Sequence, residues 1–164
     1  MAQRPASDAR PQLSVFDRLL DDQPKNHHEV PPPRLQAVRL YKDAVARDLE
    51  SLLNTRATPW EPGPELPELQ NSMYTYGLPD FSGLSVRAAS HRQILVKKIQ
   101  LTIQQHEPRL ANVLVDVPSD NDAPHKLQLR FIVSALLLMD PAPEPVSFDT
   151  VLELSRGEYQ VKGN

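Results

Sequence analysis

Few side chains in this sequence are grouped so that they could do chemistry. His27, His28 and Glu29 are adjacent and offer imidazole and carboxylate donors to a metal. Neighbouring residues do not converge on one ion in a helix or a strand, and no second cluster completes a four-ligand set. The segment reads as a solvated loop, with no metal and no cofactor. Cysteine is absent, which removes disulfides and thiolate chemistry. There is no glycine-rich phosphate loop, no Gly-x-Ser-x-Gly elbow and no zinc-protease helix motif. No catalytic residue is assigned.

One constellation remains, Glu107-Pro108-Arg109. An acid and a guanidinium flank a proline that stops the preceding helix and fixes the backbone. Both charged side chains then project from a rigid corner where helix meets strand. Three readings stay open. A surface ion pair would contribute ~0.2–1 kcal/mol. An internal strut would tie helix to sheet. A preorganised docking corner would hold a partner.

The elements that position this corner follow from apolar spacing. Ser14 to Asp22 contains no helix breaker, and Leu13, Phe16, Leu19 and Leu20 recur at helical spacing. So short a helix is marginal in water alone. It either packs on its own domain or docks on a partner. Pro31-Pro32-Pro33 closes this tail as a stiff spacer. Leu35 to Leu53 is a long helix with Leu35, Val38, Tyr41, Val45, Leu49 and Leu52 on one stripe, and with Arg39, Asp43 and Arg47 on a solvated side. Asn54 suits a left-handed helix stop. Ala57 to Leu84 reads as a long proline- and glycine-rich loop whose Trp60, Leu66, Leu69, Met73, Tyr74, Tyr76, Leu78 and Phe81 pack over the core. Ser90 and Gln93 form a capping box for a helix buried through Leu95, Ile99 and Ile103.

Strands fill the rest. Val113, Val115 and Val117 alternate, and Pro118 to Pro124 is a polar turn. Leu127, Leu129, Phe131, Val133, Ala135 and Leu137 alternate again, with Ile132, Leu136 and Leu138 apolar on the other side, so this strand is central and covered on both faces. After Pro141-Ala142-Pro143, Val146, Phe148, Thr150, Leu152 and Leu154 alternate. Arg156-Gly157 turns into a last strand, Tyr159 to Val161. The fold class is α+β: a small antiparallel β-meander packed against two main α-helices, with a short N-terminal helix on a proline-rich tail. Residues 1–33 are assigned to the tail and 34–164 to one domain.

Composition bounds the partners. The chain has 164 residues and a formal net charge of -3, so no basic footprint points to nucleic acid. The first ten residues carry two arginines and an aspartate, unlike a signal peptide. The longest purely apolar stretch, Ala135 to Met139, is far below the ~20 residues of a membrane helix. A cytoplasmic protein without membrane insertion is expected.

Four blocks carry a resemblance. They are Ser14-Val-Phe-Asp-Arg-Leu-Leu, Arg47-Asp-Leu-Glu-Ser-Leu-Leu-Asn-Thr-Arg56, Tyr76-Gly-Leu-Pro-Asp80, and Ile103 through Glu107-Pro-Arg-Leu110. In this order the chain resembles the TssE family of type VI secretion baseplate proteins, grouped with the baseplate wedge proteins of contractile-tail phages and sometimes labelled lysozyme-like. The resemblance implies a structural role beside TssF and TssG, with TssK further out, in a baseplate at the inner face of the cytoplasmic membrane. It implies that the first TssB/TssC sheath ring continues from this protein. It also implies that Glu107, Pro108 and Arg109 dock on the wedge core. An open sheet edge would accept sheath strands through backbone hydrogen bonds. That edge is expected within or beside Val146, Phe148, Thr150, Leu152, Leu154 and Tyr159. The alternatives are a wedge protein of a phage tail or tail-like particle, a small regulatory adaptor, and a muramidase. The last fits poorly, because Arg109 disfavours a protonated Glu107, Ser85 to Val115 holds no second acid, and aromatics are only 5% of the chain.

Overall fold

The alternation in the C-terminal half folds into one sheet. In the computed structural model, which describes residues 14–19, 33–60, 62–81, 88–118, 128–140, 142–153 and 157–163, the strands are β1 (Leu110–Asp116), β2 (Gln128–Leu137), β3 (Glu144–Glu153) and β4 (Glu158–Gly163). All neighbours are antiparallel and the order is β1-β2-β3-β4. Leu129, Phe131, Val133, Ala135 and Leu137 fall on one face of β2 and are buried. Their partners Val146, Phe148, Thr150 and Leu152 bury the same face of β3. A bulge breaks the β1 register between Ala111 and Leu114. Asn112 sits there with φ 53, a left-handed conformation that asparagine tolerates better than most residues.

Two long helices cover that face. Helix α2 (Arg34–Asn54) packs chiefly on β4, and α4 (Ala89–His106) on β1. Val45, Leu49 and Leu52 of α2 meet Ile99 and Ile103 of α4 in one core with Phe131, Val133, Leu137 and Phe148. Each such side chain contributes about 1.5–3 kcal/mol by leaving water. Two short elements flank this core: α1 (Val15–Leu19) and α3 (Pro67–Gln70).

Several expectations need correction. Leu35 is 87% exposed, so the buried stripe of α2 starts at Ala37. Asn54 does not stop α2 in a left-handed turn. The helix includes it, Thr55 caps it in an extended conformation, and the Asn54 amide is spent on β4. There is no capping box at Ser90: α4 begins at Ala89 after Ala88, with no side-chain cap. β2 is central, but its second face is only half covered: Ile132 and Leu136 are partly buried and Leu138 is 44% exposed. The stretch after α2 is not a plain loop. It holds α3, a 3₁₀ turn at Met73–Thr75 and a parallel bridge between Arg56 and Leu78. Leu78 enters the core and Tyr76 and Phe81 pack against it, whereas Trp60, Leu66, Met73 and Tyr74 stay exposed. The predicted features at residues 119–124 and 27–29, and Leu154, lie outside the described residues.

Two positions give stability predictions. Gly77 has φ +111, and a Cβ there would stand 2.5 Å from the Thr55 carbonyl oxygen. Backbone bonds at 2.8 Å from Leu78 N to Thr55 O and from Ala57 N to Leu78 O hold that approach. Gly77→Ala therefore costs about 2–3 kcal/mol through strain and lost bridge bonds, read as a lower denaturant midpoint. Thr150 is 0% exposed and its hydroxyl has no hydrogen-bond partner among the described residues. Thr150→Val keeps the shape and removes the unmet hydroxyl, so it should raise stability by about 1 kcal/mol. A lower melting temperature for that variant would mean the hydroxyl has a partner after all.

Candidate docking site

The corner is built by the end of α4. Glu107 N–H still donates to the Ile103 carbonyl at 2.9 Å, and Glu107 then leaves helical geometry with φ -119 and ψ 81, as the following proline favours. Pro108 makes the turn, and Leu110 N–H returns to the Glu107 carbonyl at 3.1 Å before β1 starts. The Glu107 carboxylate points inward and the residue is 5% exposed. Arg109 meets it with both sides of its fork, Nε to Oε1 at 2.7 Å and Nη2 to Oε2 at 2.5 Å, and its backbone N–H adds a bond to Oε1 at 3.2 Å. Nη2 also reaches Oδ2 of Asp48 on α2 at 2.7 Å. These hydrogen bonds, the one to Glu107 foremost, outweigh the cost of burial and raise the Arg109 pKa further above its ordinary value. Of the readings left open by the sequence, this geometry matches the internal strut: α4, β1 and α2 are pinned at one point.

The network runs on to the N-terminal helix. Arg47, beside Asp48, pairs with Asp17 of α1. Ser14 caps α1, accepting from Asp17 N–H at 3.1 Å and donating to the Asp17 carboxylate at 2.7 Å. Burial alone would push Asp17 up, but its bonds to Ser14 and Arg47 hold its carboxyl below the usual carboxylate range. A depression of about 360 Å³ lies between Ser14, Asp48, Leu52, Tyr76, His106 and the corner. His106 shares an edge-to-face contact with Tyr76 and a 3.0 Å hydrogen bond with the Thr75 carbonyl. Burial lowers its pKa more than that bond raises it.

α1 is mounted with its polarity inverted. Its acid faces the domain, while Val15, Phe16 and Leu19 are 66%, 64% and 76% exposed. The helix is held by charge, and its apolar residues face outward instead of joining the core. Leu13 and Leu20, predicted for the same stripe, lie outside the described residues.

The sheet-edge residues fall elsewhere. Val146, Phe148, Thr150 and Leu152 lie on β3, which is paired with β2 on one side and, from Phe148 to Glu153, with β4 on the other. From Phe148 onward the strand is interior and its backbone is paired on both sides, so Phe148, Thr150 and Leu152 are core residues and not a pairing edge; Val146 lies before the stretch paired with β4, and its side chain is buried in the core. Of the predicted residues that are described, Tyr159 alone stands on an edge strand. It is buried, its hydroxyl is pushed up to about 12 by that burial, and its ring packs edge-on against Phe131 at 6.0 Å.

Asp48 was missed by the sequence reading, although a signal existed. It falls between Val45 and Leu52 at three- and four-residue steps, in register with the buried stripe. An acid there needs a cation. No group of three or more metal-ligating side chains occurs among the described residues. Nor, among them, is any helix long and apolar enough to cross a membrane.

A family profile described as "Baseplate wedge protein gp25" matches residues 39–142, more than half of the chain. The match includes most of α2, all of α4 and the corner. Neither the search of curated proteins nor the search of solved structures returns a match.

Proposed function

The chain belongs to the baseplate wedge protein gp25 family, and on that premise we propose that it is a structural subunit of a type VI secretion baseplate that docks on the wedge and anchors the first ring of the contractile sheath. The family is one of structural wedge proteins, which places the chain among baseplate components. The secretion-specific assignment is supported by the four blocks set out above. TssF and TssG are its proposed neighbours, TssK a more distant one, and TssB/TssC the sheath pair it receives. The proposed site is the cytoplasmic face of the inner membrane.

The observation that carries the docking reading is the pairing of a rigid corner with an outward apolar helix. The Glu107–Pro108–Arg109 strut and the Asp48–Arg47–Asp17 chain fix α1 on the domain, and α1 presents Phe16 and Leu19 to a partner. The strut is a positioning device, and the apolar face of α1 makes the contact. Wedge docking through these residues needs no catalytic chemistry. The muramidase alternative requires a protonated acid, whereas both Glu107 carboxylate oxygens accept bonds from Arg109.

The test is affinity capture of the full chain from a native lysate that contains the secretion genes. Recovery of TssF, TssG and the sheath pair together supports the reading. Recovery of one small soluble protein alone would favour a regulatory adaptor, and clearing of a peptidoglycan suspension by pure protein would favour the hydrolase.

A further inference from the structure

Both edges of the sheet are covered by polar side chains four residues apart on a helix. On β4, the Asn54 amide donates to the Tyr159 carbonyl at 2.8 Å and accepts from Tyr159 N–H at 2.8 Å, and Glu50 accepts from Val161 N–H at 3.1 Å. On β1, the Gln104 amide donates to the Val113 carbonyl at 3.3 Å, and Gln100 accepts from Val115 N–H at 3.4 Å. The spacing has a geometric cause. Four helical residues rise about 6 Å and two strand residues about 6.8 Å, so side chains at i and i+4 meet alternate backbone groups of a strand lying alongside. A primary amide carries a donor and an acceptor, as a peptide group does, and can stand in for a missing strand.

The two covers are unequal. The bonds on β4 are short and include a reciprocal pair from one amide. Those on β1 are long single contacts, close to the limit of a useful hydrogen bond. A groove of about 450 Å³ also lies between α4 and the end of β1, where Val115 and Asp116 and the two residues after them line it with Gln100. Its walls are apolar at Val96, Leu101, Val115 and Val117, with Arg92 and Lys97 against the single acid Asp116.

We propose that β1, and not the C-terminal strand, is the edge that receives an extended segment of a partner chain, with Gln100 and Gln104 as placeholders for its backbone. The segment has apolar side chains toward Val96 and Val117 and an acidic side chain beside Lys97. Its peptide groups take over the Val113 and Val115 bonds, and the two displaced amides turn to water, so the exchange conserves hydrogen bonds. This rests on the reading that the protein anchors a partner by strand pairing, and it moves that pairing to the opposite side of the sheet.

The experiment uses the full chain and an acetylated, amidated peptide alternating valine and glutamate, titrated to millimolar concentration and followed by amide chemical shifts. Shifts at Val113 and Val115 with Tyr159 and Val161 unmoved are expected. Gln100→Ala with Gln104→Ala should tighten binding several-fold, and Lys97→Glu should weaken it about tenfold. Movement confined to Tyr159 and Val161, or none anywhere, overturns the proposal, as does equal binding by all variants. The peptide reports on the edge alone, so its failure leaves the baseplate assignment standing. Absence of the sheath pair from the native capture would instead remove that assignment.

Discussion

Replacing Arg109 with methionine lowers the stability of the isolated chain by about 3–5 kcal/mol, a fall of about 10 °C or more in Tm. The size follows from what is left behind. The Glu107 side chain is only 6% exposed and, among the described residues, keeps only the Arg109 backbone N–H as a partner for its charge. Asp48 loses less, because its side chain is 37% exposed and Arg47 is adjacent. Glu107→Gln is milder, about 1–2 kcal/mol, since the amide keeps the shape and Arg109 keeps Asp48. The double variant Glu107→Gln with Arg109→Met loses less than the sum of the two, because no buried charge remains. A Tm within a few degrees of wild type would show that the strut is a surface pair of the kind worth under ~1 kcal/mol.

This outcome separates two roles that the sequence could not. Glu107-Pro108-Arg109 was legible as a rigid ionic corner, because proline placement and charge type are local properties. Whether the charges faced water, the core or a partner depended on Asp48, sixty-one positions from Arg109 in the chain. No local pattern joins those two residues until α2 and α4 pack. For the same reason Asn54 was misread. Its helix-end position was visible, but its use depends on β4 arriving beside it, 105 residues later.

The strands show the converse. Alternation fixed the inward faces of β2 and β3 residue by residue, from Leu129 to Leu137 and from Val146 to Leu152. The short turns implied the meander order that the structure shows, but the expected open edge was drawn too widely, over the interior strand β3 as well as the terminal strand β4. An edge is defined by what lies beside a strand, and here side chains of α2 and α4 take that place. α1 was legible as a short amphipathic helix, but its orientation was not. The Asp17–Arg47 pair turns its apolar residues away from the domain, where hydrophobicity alone would have turned them in.

That inversion makes Phe16 and Leu19 the cleanest probes of docking. They are 64% and 76% exposed, so serine at both costs the isolated fold little, within about 0.5 kcal/mol each. Apolar anchors buried at the centre of an interface cost about 2 kcal/mol or more each when truncated. Both together should weaken wedge binding by about three orders of magnitude. The decisive measurement is the affinity of the full-length Phe16→Ser, Leu19→Ser protein for purified TssF–TssG, taken beside its melting temperature. An unchanged Tm with binding reduced about a thousandfold is the predicted result. Wild-type affinity in that double variant would contradict docking through the outward face of α1.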